Sequence, residues 1–175
     1  MLYACSQRVG AFAERLALFR PDPIASSGVA AVAGGGGSPP GRVPATWLTG
    51  QMLGEATPVG QYAFVGHSRS LAFVRSTLAS RLAHYGLTDL DAATIRLSTP
   101  RRFTQEISRL IYETTALSGP RFSGIRYGSR LGDDFGNWAV FESDPAPVHV
   151  VAARAIDPGD ADLQEALDLL GIAFV

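Results

Sequence analysis

Apolar residues along the chain fall into short runs with two periods, and the period separates helices from strands. Leu2 to Ser6 is a brief apolar stretch, too short for a helix, and predicts a strand. Val9, Phe12, Ala13, Leu16 and Phe19 then recur at helical spacing, with Ser6 placed as the cap and Pro21 as the stop. Leu71, Val74, Leu78 and Leu82 repeat that pattern behind Ser68 as cap, and Gly86 ends the run. A third helix is expected behind Thr104, with Ile107, Leu110 and Ile111 inward and Arg109 and Glu113 outward. Asp160 to Leu170 predicts a last short helix, closed by Gly171 before the apolar tail Ile172 to Val175.

Strands are expected between these helices. Ala45 to Val65 holds short apolar groups broken by Gly and Pro, the pattern of irregular strands. Gly124 to Tyr127 and Trp138 to Phe141 predict neighbouring strands joined by the acidic, glycine-containing turn around Asp133. Val148 to Ile156 predicts one more. Helices and strands interleave without strict alternation, which favours an α+β fold over a doubly wound parallel sheet. Pro21 to Pro44, with Gly34 to Gly37 and Pro39-Pro40, has no apolar period and predicts a flexible internal loop at 21–44.

Length and composition narrow the classes. A chain of 175 residues suggests one domain, 1–175. At that size roughly 70% of the unfolded surface can be buried, so no disulfide or metal staple is needed. The single cysteine, Cys5, permits no internal disulfide and fits a reducing compartment. No run approaches the roughly 18 apolar residues of a membrane span, and no basic leader stands at the N-terminus. A cytoplasmic protein is expected. All 15 basic residues are arginine, which excludes a phosphate loop ending in Gly-Lys-Ser/Thr and any Schiff-base lysine. A net charge of -1 argues against a broad nucleic-acid footprint.

Most catalytic signatures are missing. Ser129 sits in Gly128-Ser129-Arg130, without the second glycine of a nucleophile elbow, and taken alone reads as a turn residue. His67, His84 and His149 have no metal-ligand spacing, and His84 suits the end of a helix. The Gly34 to Gly37 run neither follows a clear strand nor opens a helix, so it is no dinucleotide fingerprint. Asp157, Asp160 and Asp162 decorate a helix start, and no metal is expected. On a helical projection Glu14 points away from the Val9/Phe12/Leu16 face, as a solvated acid does unless its helix borders a cleft. Tyr3 reads as an edge-strand aromatic, and Trp47 and Trp138 as core.

Two segments carry a further signal. Leu2-Tyr3-Ala4-Cys5-Ser6 is followed by Ala11-Phe12-Ala13-Glu14, and Phe122 to Arg130 is followed by Asn137-Trp138-Ala139-Val140-Phe141. Together with Phe103 to Arg109, they resemble the RES domain, over roughly residues 1 to 142 apart from the loop. The resemblance implies an ADP-ribosyltransferase-like fold, a mixed β-sheet core flanked by helices. It also implies NAD as substrate: such proteins break the nicotinamide–ribose bond, and many are toxins paired with an Xre-type antitoxin. Cleavage passes through an oxocarbenium-like state, which a nearby carboxylate stabilises. By resemblance Glu14 is that carboxylate and Ser129 a hydrogen-bonding catalytic partner. Tyr3, Arg126, Tyr127, Arg130 and Asn137 become cofactor-binding candidates, the arginines suited to the diphosphate through their planar fork. The implied partners are NAD, phosphate as an alternative acceptor to water, and an Xre-type antitoxin. Self-association stays open, and neither direct nucleic-acid contact nor a membrane is implied.

One family feature is not matched. The family's Arg lies upstream of the tyrosine strand, whereas only Met1 and Leu2 precede Tyr3, and Arg8, Arg15 and Arg20 lie on or beyond the first helix. A start further upstream, or a truncation, is expected, with weakened NAD turnover. Three alternatives stay open: transfer of ADP-ribose to a protein, a catalytically impaired module that pairs with an antitoxin through Gly171 to Val175, and an unrelated α+β domain that shares short patterns.

Overall fold

Strands from the start, the middle and the later part of the sequence meet in one four-stranded mixed sheet, and that sheet organises the larger part of the protein. A computed structural model describes residues 1–21, 41–97, 100–117, 119–143 and 147–175. In chain order it forms β1 (Leu2–Cys5), α1 (Arg8–Leu16), a 3-10 turn (Ala17–Phe19), β2 (Arg42–Val43), a second 3-10 turn (Ala45–Leu48), β3 (Met52–Pro58) and β4 (Tyr62–Phe64). There follow α2 (Ser68–Leu82), a third 3-10 turn (Ala83–Tyr85), α3 (Ala92–Leu97), α4 (Arg101–Glu113), β5 (Thr115–Ala116) and β6 (Gly119–Pro120). The chain ends with β7 (Gly124–Gly128), β8 (Gly136–Val140), β9 (Val148–Ala155), α5 (Ala161–Leu170) and β10 (Ala173–Phe174). The class is α+β. Among the described residues no helix is long and apolar enough to cross a membrane.

The chain divides into two compact units, Met1–Ser6 with Thr57–His149, and Gln7–Ala56 with Val150–Val175. In the first, the sheet runs β1-β8-β7-β4, with β1/β8 and β8/β7 antiparallel and β7/β4 parallel. The β7–β8 hairpin is the one expected, with Tyr127 opposite Asn137 and Gly124 opposite Val140. Successive side chains on a strand point to opposite faces. The face bearing Ile125 and Ala139 is covered by helices: Val74, Leu78 and Leu82 of α2, Ile95 of α3, and Phe103, Ile107 and Ile111 of α4 join it in one core. Phe103, fully buried, anchors α4.

In the second unit α1 packs against α5. Phe12, Ala13 and Leu16 of α1 are buried, as are Leu163, Ala166, Leu167 and Leu170 of α5. Asp160 caps α5 through the amides of Asp162 and Leu163. Arg8 pairs with Asp160, and with Asp162 at 2.9 Å, across the start of that helix.

Several expectations are corrected. The caps differ at three helices. Ser6 does not cap α1, whose N-cap is Gln7 with no side-chain capping bond to the helix; the Ser6 hydroxyl instead accepts the indole N–H of Trp138 at 2.8 Å. At α2 the cap is His67, one residue before Ser68, because its Nδ1 reaches the Arg69 amide at 3.2 Å. The helix α4 begins at Arg101 behind Pro100, and Thr104 lies inside it, donating its hydroxyl to the Arg101 carbonyl.

Other corrections concern extent and burial. Helix α3 was not expected; Asp91 starts it by accepting from the Thr94 amide and hydroxyl. At the end of the loop expected at 21–44, Arg42–Val43 instead pairs in parallel with β10 and Val43 is fully buried; residues 22–40 lie outside the described residues. The apolar tail is therefore held inside its own unit, and Ile172 is buried there. Trp47 and Trp138 are half-buried, not core.

Candidate functional site

On the helix-covered face, beyond the packed core, the sheet leaves a recess of about 370 Å³. Its floor is apolar, formed by Val65, Ile95, Ile107, Ile125 and Ala139. Tyr3 from β1 and Tyr127 from β7 add aromatic walls. Register explains why they meet: Tyr3 lies opposite Ala139, and Tyr127 follows Ile125 by two residues, so all four address one face. The Tyr3 ring is 68% exposed. The remaining wall is a polar stripe on α4, Arg101, Thr104, Gln105 and Ser108, at i, i+3, i+4 and i+7. Among the described residues no carboxylate lines the recess, and Arg101 is the charged side chain in it.

A shallower recess of about 470 Å³ adjoins it and shares Tyr3, Gln105 and Ser108. Met1, which also lines the first recess, joins Arg109, Tyr112, Phe141 and Glu142 in its lining. Tyr112 stands edge-on to Phe141, centroids 5.1 Å apart, and is itself 56% exposed. Arg109 pairs with Glu113 one turn on at 2.7 Å, which raises the guanidinium pKa above its ordinary value.

Helix α3 braces this region. Asp91 accepts the Thr94 amide and hydroxyl, which hold its carboxyl below the usual carboxylate range. One turn on, Ile95 contributes to the floor, and Arg96 pairs with Asp133 in the β7–β8 connection at 2.5 Å.

The residues singled out from sequence are distributed unevenly around these recesses. Tyr3 and Tyr127 are brought together. Asn137 lies opposite Tyr127 and Cys5 on the same face, 5% exposed. Ser129 is 2% exposed; its amide donates to the Phe135 carbonyl, and its hydroxyl accepts the Leu131 amide at 2.9 Å. It closes the β7–β8 connection and lines neither recess.

Arg126 is on the opposite face. Its guanidinium lies 5.3 Å from the Phe64 ring centroid and 5.4 Å from that of Trp138. Tyr62 meets the same tryptophan edge-on at 5.0 Å. Arg130 is exposed and lines neither recess. Glu14 is half-buried on α1, in the second unit. Among the described residues, no group of three His, Cys, Asp or Glu comes together as metal ligands do.

Sequence reasoning missed the polar stripe on α4. Its signal was present, because polar residues at 101, 104, 105 and 108 fall on one helical face beside the apolar Phe103/Ile107/Ile111 face. No family model, no curated protein and no solved structure matches this chain.

Proposed function

We propose that the chain breaks the nicotinamide–ribose bond of NAD, with its mixed sheet in an ADP-ribosyltransferase-like arrangement. The observation that carries this reading is the pair of adjoining recesses that share Tyr3, Gln105 and Ser108. A dinucleotide is a two-part ligand, with a planar ring at each end and charge between. Adjoining recesses, each walled by exposed tyrosine, with Arg101 lining the first, suit that shape and charge.

In the reaction the C1′–N bond to nicotinamide breaks and nicotinamide leaves with the electron pair. Water attacks C1′ and loses a proton, giving ADP-ribose; phosphate in its place gives the 1-phosphate. The ribose carries positive charge in between. Glu14 is the carboxylate that the resemblance names for opposing that charge. Ser129, whose hydroxyl accepts the Leu131 amide in the β7–β8 connection, supports the fold of that connection in this reading.

The test is NAD loss by the purified chain, with and without phosphate, beside Glu14→Ala. The expected result is loss with the parent and none with a folded variant. Full turnover by Glu14→Ala overturns the proposal. Labelled NAD that marks a protein band in lysate would turn the reading towards protein modification.

A further inference from the structure

The larger charge question in the first recess is what Arg101 is for. It lies on the same α4 stripe as Thr104, Gln105 and Ser108 and lines the recess. Arg109, two turns on, has its carboxylate in Glu113, and Arg96, on the neighbouring helix, has Asp133. Arg101 has none among the described residues, and no acidic side chain lines the recess with it. An arginine beside an apolar floor, with no carboxylate partner among the described residues, suits a ligand that brings an anion.

The rest of the lining says what else that ligand carries. A bare inorganic anion gains nothing from Ile107, Ile125 and Val65, against which it would have to shed its own hydration. An amphipathic ligand satisfies both: a planar ring against Tyr127 and the apolar floor, and an anion at Arg101. Gln105 and Ser108, further along the same helical stripe, supply donors and acceptors of the kind a sugar uses. The volume, about 370 Å³, is at the low end for small-molecule pockets and admits one nucleotide, with the second half of a dinucleotide left to the adjoining recess.

We infer that the recess is a 5′-mononucleotide subsite in which Arg101 binds the phosphate and Tyr127 the ring. This deepens the NAD reading and rests on it for the choice of nucleotide. It moves the phosphate-binding role from Arg126 and Arg130 to a residue on α4. Arg126 already lies between two rings on the far face of the sheet.

The experiment is calorimetric titration of the full chain with AMP and nicotinamide mononucleotide, each beside its phosphate-free nucleoside, and with inorganic phosphate alone. Charge-assisted bonding predicts that at least one nucleotide binds about tenfold to a hundredfold more tightly than its nucleoside. Arg101→Ala should remove that difference, and Arg101→Lys should restore part of it. Arg102→Ala, beside it but outside the lining, should change nothing. Equal binding of nucleotide and nucleoside by the parent, absence of binding by all probes, or a difference that survives Arg101→Ala overturns the inference. Tight binding of inorganic phosphate alone also overturns it, since the ring is then not required. The two readings fail separately: Glu14-dependent NAD loss with an unaltered Arg101→Ala profile removes only the subsite, and an Arg101-dependent nucleotide preference without NAD loss removes only the cleavage.

Discussion

Arg126 and Tyr127 are consecutive in β7, yet they serve opposite faces of the sheet. Tyr127 lines the recess with Ile125, while the Arg126 guanidinium lies between Phe64 and Trp138. Strand pleating forces this separation, so the two cannot contact one bound molecule on one face.

From this placement Arg126 is expected to contribute to stability. Arg126→Ala should lower the stability of its unit by about 1 kcal/mol, the scale of an exposed cation–π contact. Nucleotide affinity should stay at the parent value. Urea denaturation and the titration above read the two effects, and a loss of affinity without a loss of stability would contradict the placement.

Ser129 is the closing group of the β7–β8 connection. Ser129→Ala leaves the Leu131 amide without this acceptor and should cost about 1 kcal/mol. Its KM for NAD should match the parent, with kcat lowered only as far as folded protein is lost. A large fall in kcat with unchanged stability would instead make the hydroxyl a direct participant.

Gly124 has no room for a side chain. A Cβ there would stand 2.4 Å from the Ala139 carbonyl oxygen and 2.7 Å from the Tyr62 ring. Gly124→Ala should destabilise the sheet by about 3 kcal/mol, the upper end for overpacking. Denaturation with a midpoint equal to the parent's would show that the strands part more easily than this packing implies.

Tyr62 gives the fold an alkaline limit. Burial raises its phenol pKa above the ordinary 10.0, and the hydroxyl donates to the Pro147 carbonyl at 2.9 Å. The folded state holds this proton more tightly than the unfolded one. Its contribution is complete below pH 10.0 and is lost as pH rises through the higher folded value. Tyr62→Phe should lose stability less steeply above pH 10.0, and identical slopes for the two proteins would refute this.

Asp91 sets the acid response of α3. Its folded pKa lies below the ordinary 3.8, first through the Thr94 amide and then through the Thr94 hydroxyl. The cap is present above 3.8 and is lost as pH falls through the lower folded value. Asp91→Ala should speed amide exchange in α3 at neutral pH and remove its acid dependence. Unchanged exchange at Thr94 and Ile95 would show that the helix does not depend on this cap.

The periodic segments were legible because their information is local. The apolar faces of α1, α2, α4 and α5, and the β7–β8 hairpin with its acidic turn, follow from spacings of two to four residues. So does the pairing of Arg109 with Glu113 one turn apart. The cap expected at Ser6 fails because its hydroxyl goes to Trp138, 132 residues away, whereas at Ser68 and Thr104 the helices start earlier, behind His67 and Pro100.

The recess belongs to the tertiary structure. Its floor joins β7 and β8 to α3 and α4, and its walls need β1, from the start of the chain, beside β8. The sequence by itself determined which face of each helix and strand is apolar, since that depends on side-chain type and backbone period. Which element covers each face is decided by long-range pairing and packing. Only that choice turned Arg101, Gln105 and Ser108 from surface polar residues of a helix into one wall of a binding recess.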